Sequence, residues 1–371
     1  MYFSTRQTQQ LFAVLVVATV LLPSCAAPPP RPPAVNPDAV RAEIVELMPA
    51  KTQNAQGWAI DIFAAFEALK IEPTTEHICG VLAVAAQESN LQVDPVVPGL
   101  PAIARREIDA RAASHHIPQF MVSTALALHS PDGQTYSERL DHARTEKDLS
   151  DLFDDFIGKV PLGERLFGDL NPVRTGGPMQ VSIAFAEKHA RQKRYPYPVA
   201  GTIRSEVFTR RGGLYFGIAH LLDYAAPYDD MVYRFADYNA GHYASRNAAF
   251  QNAVNIVTGK RLALDGDLLV ESSDKPSDTE LAIRTIEERL NVSDAQIRSA
   301  LERGTEPDFE RTSLYSRVFA MADKVPPGRP VPRAMVPRIT LESPKITRNL
   351  TTDWFARRVD DRYTQCVARA K

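Results

Sequence analysis

Three short stretches carry the residues most able to do chemistry. Ala85-Ala86-Gln87-Glu88-Ser89-Asn90 puts a carboxylate at the C-terminal end of an apolar run. Gly176-Gly177-Pro178-Met179-Gln180-Val181 is a glycine turn opening into a helix, and Ala236-Asp237-Tyr238-Asn239-Ala240-Gly241 closes one with an aromatic, an amide and a glycine. Burial among Val84, Ala85 and Ala86 disfavours the charged form of a carboxyl, which would make Glu88 a proton donor near neutral pH. The glycine pair allows close backbone approach. Each stretch also has a plainer reading: a solvated glutamate, a simple turn, a half-buried tyrosine with a bonded hydroxyl, and a helix C-cap at Asn239-Ala240-Gly241.

The elements that must position these residues read as helices. From Val40 to Leu69 the apolar residues recur at helical spacing, and Thr74-Thr75 after Pro73 starts a helix that runs to about Ser89. Further helices are predicted around 120–128, 148–157, 182–190, 214–224 and 246–258. Ser277-Asp278-Thr279-Glu280 has the pattern of a capping box. Strand-like alternation is sparse, with Arg338–Leu341 the best candidate. The fold class is therefore mainly α. Two stretches look like boundaries: Asp265–Ser277, rich in Asp, Ser and Lys, and the proline-dense Val325–Pro337.

Taken in order, the three motifs resemble those of the lytic transglycosylases of the goose-type lysozyme superfamily: a Glu-Ser pair, a Gly-x-Met-Gln turn and a Tyr-Asn-Ala-Gly turn. Ile71-Glu72-Pro73, Leu91-Gln92-Val93-Asp94-Pro95 and Gly217–Leu222 resemble the family's flanking segments. The resemblance implies a lysozyme-like helical domain over 41–264, with a long insertion at about 92–171 and a helical C-terminal extension over 265–371. It implies cleavage of the N-acetylmuramic acid to N-acetylglucosamine bond of peptidoglycan glycan strands, with no metal or cofactor. The substrate's own 6-hydroxyl attacks, leaving a 1,6-anhydro end, while Glu88 acts first as acid and then as base. Tyr238 would stand near that carboxyl, Asn239 would hold the turn or the sugar, and Gly177, Met179 and Gln180 would line the groove. Ser89 would orient the carboxylate or bind substrate. Departures from the family are the 87 residues between Ser89 and Gly177, Pro178 in the middle motif, and Asp237 where relatives carry alanine. The same fold used without turnover, as a glycan-binding or envelope-organising lipoprotein, is the alternative.

The N-terminus reads as an address. Leu11–Leu22 is an unbroken apolar run, too short for a permanent membrane span but suited to a signal peptide over 1–24. Leu22-Pro23-Ser24-Cys25 resembles a bacterial lipoprotein signal, which implies lipidation of Cys25 and, with Ala26 next, lodging in the outer membrane facing the periplasm. A proline-rich tether is expected over 25–40. The outline also resembles a family of bacterial lipoproteins without assigned function. With 43 basic and 45 acidic residues, the net charge of −2 gives no electrostatic reason to expect nucleic acid. Cys79 and Cys366 either pair in an oxidising compartment or leave Cys79 a buried thiol. His115-His116 lacks a third metal ligand at a usual spacing. Asp94 and Asp237 read as structural or exposed, with a second catalytic carboxylate as the sharper option. Arg210-Arg211 and the basic residues of 189–194 read as solvated faces.

Overall fold

The computed structural model describes residues 36–159, 171–325, 329–341 and 348–370. The signal segment, Cys25 and the tether up to residue 35 lie outside the described residues, as does part of the insertion at 160–170. The described residues from 37 on form a compact unit.

Pro37 opens helix α1 (Pro37–Leu47), with Asp38 in its first turn. Proline suits the first helical position because that N–H has no partner to lose, and an acidic residue there meets the positive end of the helix dipole. The tether therefore ends at residue 36 rather than 40. Helix α2 (Ala55–Leu69) buries Trp58, Ile62, Phe63 and Phe66 and ends at Lys70 in the left-handed conformation. Helix α3 (Thr75–Glu88) starts where Thr74 Oγ1 accepts from the His77 amide (3.2 Å), and it buries Ile78 through Ala85. Helices α4 (Leu100–Ser114), α5 (Gln119–Leu126), α6 (Tyr136–His142) and α7 (Glu146–Gly158) make up the described part of the insertion. They share a small core of Ala104, Tyr136, Leu140 and Leu152.

A two-residue hairpin, β1 (Thr175–Gly176) and β2 (Val181–Ser182), pairs antiparallel with Gly176 opposite Val181. It leads into α8 (Ile183–Gln192), α9 (Ile203–Val207), α10 (Arg210–Leu222), α11 (Met231–Ala240) and α12 (Ala244–Thr258). Helix α10 is buried along nearly its whole length, as expected of a helix apolar on every side. Then follow α13 (Asp278–Arg284), α14 (Glu287–Leu290), α15 (Asp294–Leu301) and, after two 3-10 turns, α16 (Ser313–Ala322). Strands β3 (Thr340–Leu341) and β4 (Leu350–Thr351) pair antiparallel ahead of α17 (Thr352–Arg369). The fold is mainly α, and the expected strand at 338–341 is half of this second hairpin. Of the capping box at Ser277, the serine half forms, its Oγ accepting from the Glu280 amide (3.0 Å). The buried Glu280 carboxylate instead pairs with Arg284 and Arg298.

The main core gathers α1–α3, α8–α11 and α17. A second core begins inside α12 and runs through α16. Its anchor is Arg246, fully buried, whose guanidinium donates to the carbonyls of Gly304 (2.6 Å) and Glu306 (3.0 Å) and lies over the Tyr243 ring. The C-terminal part of the chain, drawn from the sequence as one extension from 265, is thus shared between two cores. Residues 278–322 build the second, and α17 returns to the first.

A disulfide, Cys79–Cys366, joins α3 to α17 across 287 residues of sequence, with Cα atoms 5.5 Å apart. Both cysteines are buried. Closing so long a loop removes much of the freedom of the unfolded chain. Cys79→Ala/Cys366→Ala should lose roughly 2–5 kcal/mol of stability. Urea unfolding of the variant beside the oxidised parent measures this, and an unchanged midpoint would contradict it.

Candidate active site

The three motifs converge around the end of α3. Glu88 is the last residue of that helix and is half-buried. Ser89 caps the helix and is buried; its hydroxyl lies 2.7 Å from the Pro178 carbonyl and 3.0 Å from that of Ala85, and it accepts from the Gln92 amide (3.2 Å). One hydroxyl proton serves one acceptor well, so the shorter contact binds the first motif to the second. Ser89 thus fastens the acid's helix to the glycine turn. Asn90 and Leu91 follow in the left-handed region (φ 53° and 56°), turning the chain sharply away from the carboxylate.

The glycine turn is held against α10 by close approach. Gly177 has φ 72°, and a Cβ there would lie 2.1 Å from the Val207 carbonyl oxygen; one on Gly176 would enter the Phe208 ring. The facing helix is cleared in the same way. A Cβ on Gly213 would lie 2.4 Å from Pro178 Cδ, and one on Gly217 would lie 2.5 Å from Met179 Sδ. Pro178, foreign to the family pattern, thus has its place on Gly213.

Met179 was expected to line a groove. Its side chain is instead fully buried over Gly217, and what it presents to the site is its carbonyl. That oxygen accepts from the Tyr238 phenol (2.7 Å), which binds the second motif to the third. Burial pushes the phenol well above its ordinary range, and the nearby Glu88 charge pushes it further the same way. Gln180, at φ 50°, is half-buried; its amide donates to the Gly177 carbonyl (3.3 Å) and accepts from Thr175 (3.2 Å).

Asn239 is exposed, and its Oδ1 accepts from the Thr352 hydroxyl (2.9 Å) at the start of α17. Ten residues on, Arg362 Nε donates to Gln87 Oε1 (3.2 Å), next to Glu88. Helix α17 therefore touches the neighbours of both Glu88 and Tyr238.

Asp237 is a structural hub. Fully buried, it accepts from the amides of Ser245 (2.7 Å) and Tyr243 (3.0 Å) at the start of α12 and from the phenols of Tyr224 (3.0 Å) and Tyr228. Desolvation raises it to about 6 against these bonds, which lower it. Asp94 is half-buried beside Thr145, and burial raises it as well. His115 and His116 are exposed, and among the described residues no group of three or more His, Cys, Asp or Glu could hold a metal.

Residues 51–369 match the family described as "Protein of unknown function (DUF1615)". The chain belongs to this family. It is similar to the uncharacterized protein YaiW of Escherichia coli (strain K12), 54% identical over 359 residues that cover 96% of this chain and 98% of YaiW. No solved structure matches it.

Two features of this DUF1615 chain escape a reading by motif. The glycines of α10 are one: Gly212, Gly213 and Gly217 in thirteen residues cost helix propensity, a signal that something packs against them. The other is His220, whose Nε2 lies 3.2 Å from the Tyr238 carbonyl and whose ring stacks on His242 (4.6 Å). Desolvation lowers His220 to about 3, and the adjacent His242 adds to this. A cavity of about 230 Å³ lies in the insertion between α4, α5 and α6, and none of the three motifs lines it.

Gly177→Ala should cost at least about 2 kcal/mol, since the new methyl meets backbone at a left-handed position. Thermal unfolding would register this as a lowered Tm; an unchanged Tm would contradict the close approach. A second expectation concerns pH. Between pH 6.5 and about 3 the unfolded chain protonates His220 and the folded chain does not, so this group takes stability away as pH falls. Asp237 acts in the opposite sense between about 6 and 3.8, because the folded state binds its proton first. His220→Gln, which keeps a donor for the Tyr238 carbonyl, should be less acid-sensitive than the parent in urea midpoints taken from pH 7 to 4.

Proposed function

We propose that the chain is a peptidoglycan lytic transglycosylase-like lipoprotein, with Glu88 as the single general acid/base on a lysozyme-like helical domain. The observation that carries this reading is the pair of bonds joining the three motifs around one carboxyl: Ser89 to the Pro178 carbonyl, and Tyr238 to the Met179 carbonyl. Glu88 stands at their meeting point, close enough for its charge to act on the Tyr238 phenol.

The chemistry follows from that arrangement. The phenol stays protonated and its proton points at Met179, so the phenol oxygen offers lone pairs on its other side. Glu88 would enter the reaction in its neutral form, as a general acid must. Glu88 would give its proton to the glycosidic oxygen and then take one from the 6-hydroxyl of the muramic acid as that oxygen closes on C1. Atoms balance without water: one strand leaves with a new hydroxyl and the other with a 1,6-anhydro ring. The disulfide fits an oxidising compartment, as does the lipoprotein signal ending at Cys25. Among the described residues no helix is long and apolar enough to cross a membrane. Attachment to the outer membrane would fall to the lipid at Cys25.

One observation favours the second reading, a glycan-binding lipoprotein without turnover. Met179 is buried, the Gln180 amide is tied to its own turn, and the Asn239 carbonyl is taken by Thr352. Groups expected to meet the sugar are thus engaged by the protein.

Incubation of the purified chain with peptidoglycan sacculi, followed by mass analysis of the soluble products, separates the readings. Release of anhydro-muropeptides that falls at least 100-fold in Glu88→Gln would support the transglycosylase. Binding to sacculi with no product from the parent would support the silent reading, and reducing ends would point to a hydrolase.

A further inference from the structure

The chain has two tryptophans, Trp58 and Trp354. Trp58 fills the core, whereas Trp354, in the first turn of α17, is 38% exposed. Arg358 and Arg362 follow it at intervals of four, which sets the three side chains in one row along the helix. Two bonds fix where the row runs. The Thr352 hydroxyl donates to Asn239 of the third motif, and Arg362 donates to the neutral amide of Gln87, the neighbour of Glu88. The Cys79–Cys366 link sets the register of the two antiparallel helices. Eight residues on from Cys79 and eight back from Cys366 bring Gln87 level with Arg358. Trp354, one turn further, stands roughly 6 Å past that level, beyond the end of α3. Arg358 is exposed and has no ion pair among the described residues. The carboxylates of α17 lie elsewhere. Asp353 is paired with Arg357 (2.9 Å), and Asp360 feels the charge of Asp230, the N-cap of α11. The exposed Asp361 falls about a quarter-turn round from Arg362, toward solvent. The carboxyl that α3 brings to this end is Glu88 itself.

We propose that Trp354 and Arg358 form a subsite for the peptide-bearing sugar of a peptidoglycan strand. The indole would stack on the apolar face of the ring, and the guanidinium would take a carboxylate of the stem peptide. A large flat side chain beside a cation that grips both oxygens of a carboxylate suits a ligand that is part sugar and part acidic peptide. A neutral polysaccharide would need the indole alone. Arg362 closes the inner end of the row, where it meets the residue before Glu88. The subsite rests on the peptidoglycan reading above, and it would serve the catalytic and the silent form of that reading alike.

Binding is measured by sedimentation of the mature-length chain with intact sacculi and with glycan strands stripped of peptide by an amidase. All variants carry Cys25→Ser, for solubility, and Glu88→Gln, so that digestion does not remove the ligand. Trp354→Ala should weaken binding to both ligands at least about tenfold, and Trp354→Tyr should restore most of it. Arg358→Glu should weaken binding to sacculi by a similar factor and leave the stripped strands unaffected. Both positions are exposed, so the circular dichroism spectrum should not change. Either variant binding sacculi as well as its parent overturns the proposal, as does an Arg358→Glu loss that is equal on stripped strands. Sacculi bound equally well by parent and variants would defeat the subsite and leave the peptidoglycan reading standing. A parent that binds no sacculi would defeat both.

Discussion

Tyr238 reaches the Met179 carbonyl only because the turn carrying Met179 lies almost directly on the backbone of α10. Glycines make that approach possible: Gly213 and Gly217 of the helix clear Pro178 and Met179, Gly176 and Gly177 of the turn clear Phe208 and the Val207 carbonyl just ahead of the helix, and a methyl group on any of them would overlap its neighbour. The approach brings three pieces of chain, distant in sequence, to one place. Once the turn is seated, Pro178 and Met179 present their carbonyls to Ser89 and Tyr238. Both bonds are buried, where an unmet carbonyl is costly, so each fixes its partner's position closely. The placement of Glu88 near the phenol thus depends on this backbone packing.

Much of the architecture could be read from the chain in advance. The helices fall where apolar spacing puts them, because each buries one face and its period survives in the sequence: α3 ends at Glu88, the predicted 246–258 segment lies within α12, and the predicted 182–190 segment falls on α8 from its second residue, its first being the N-cap. The short strand near 340 was also legible. What was not legible depends on distant partners. Nothing near Met179 says that its side chain is swallowed by a glycine helix 38 residues later. Nothing near Asp237 says that its carboxylate will cap α12, although a charged residue set among apolar ones two positions after Phe235 has to find donors somewhere. The tether was drawn four residues too long because proline was read as spacer where it serves as a helix start.

Helix α17 changes how the C-terminal part of the chain is understood. Read as sequence it is a tail, amphipathic and charged. In the fold it runs antiparallel along α3, meeting Asn239 with its first residue and Gln87 with Arg362. Phe355, Ala356 and Val359 sit in the main core, so the residues flanking the candidate acid are braced from both ends of the chain. The second core, organised around the buried Arg246, lies in sequence between the first core and this returning helix.

The link between Cys79 and Cys366 also imposes an order on biogenesis. A ribosome delivers α3 early and its partner thiol 287 positions later, so α3 can gain this cross-link only once the last helix is made. Until then the contact of Arg362 with Gln87 cannot form either.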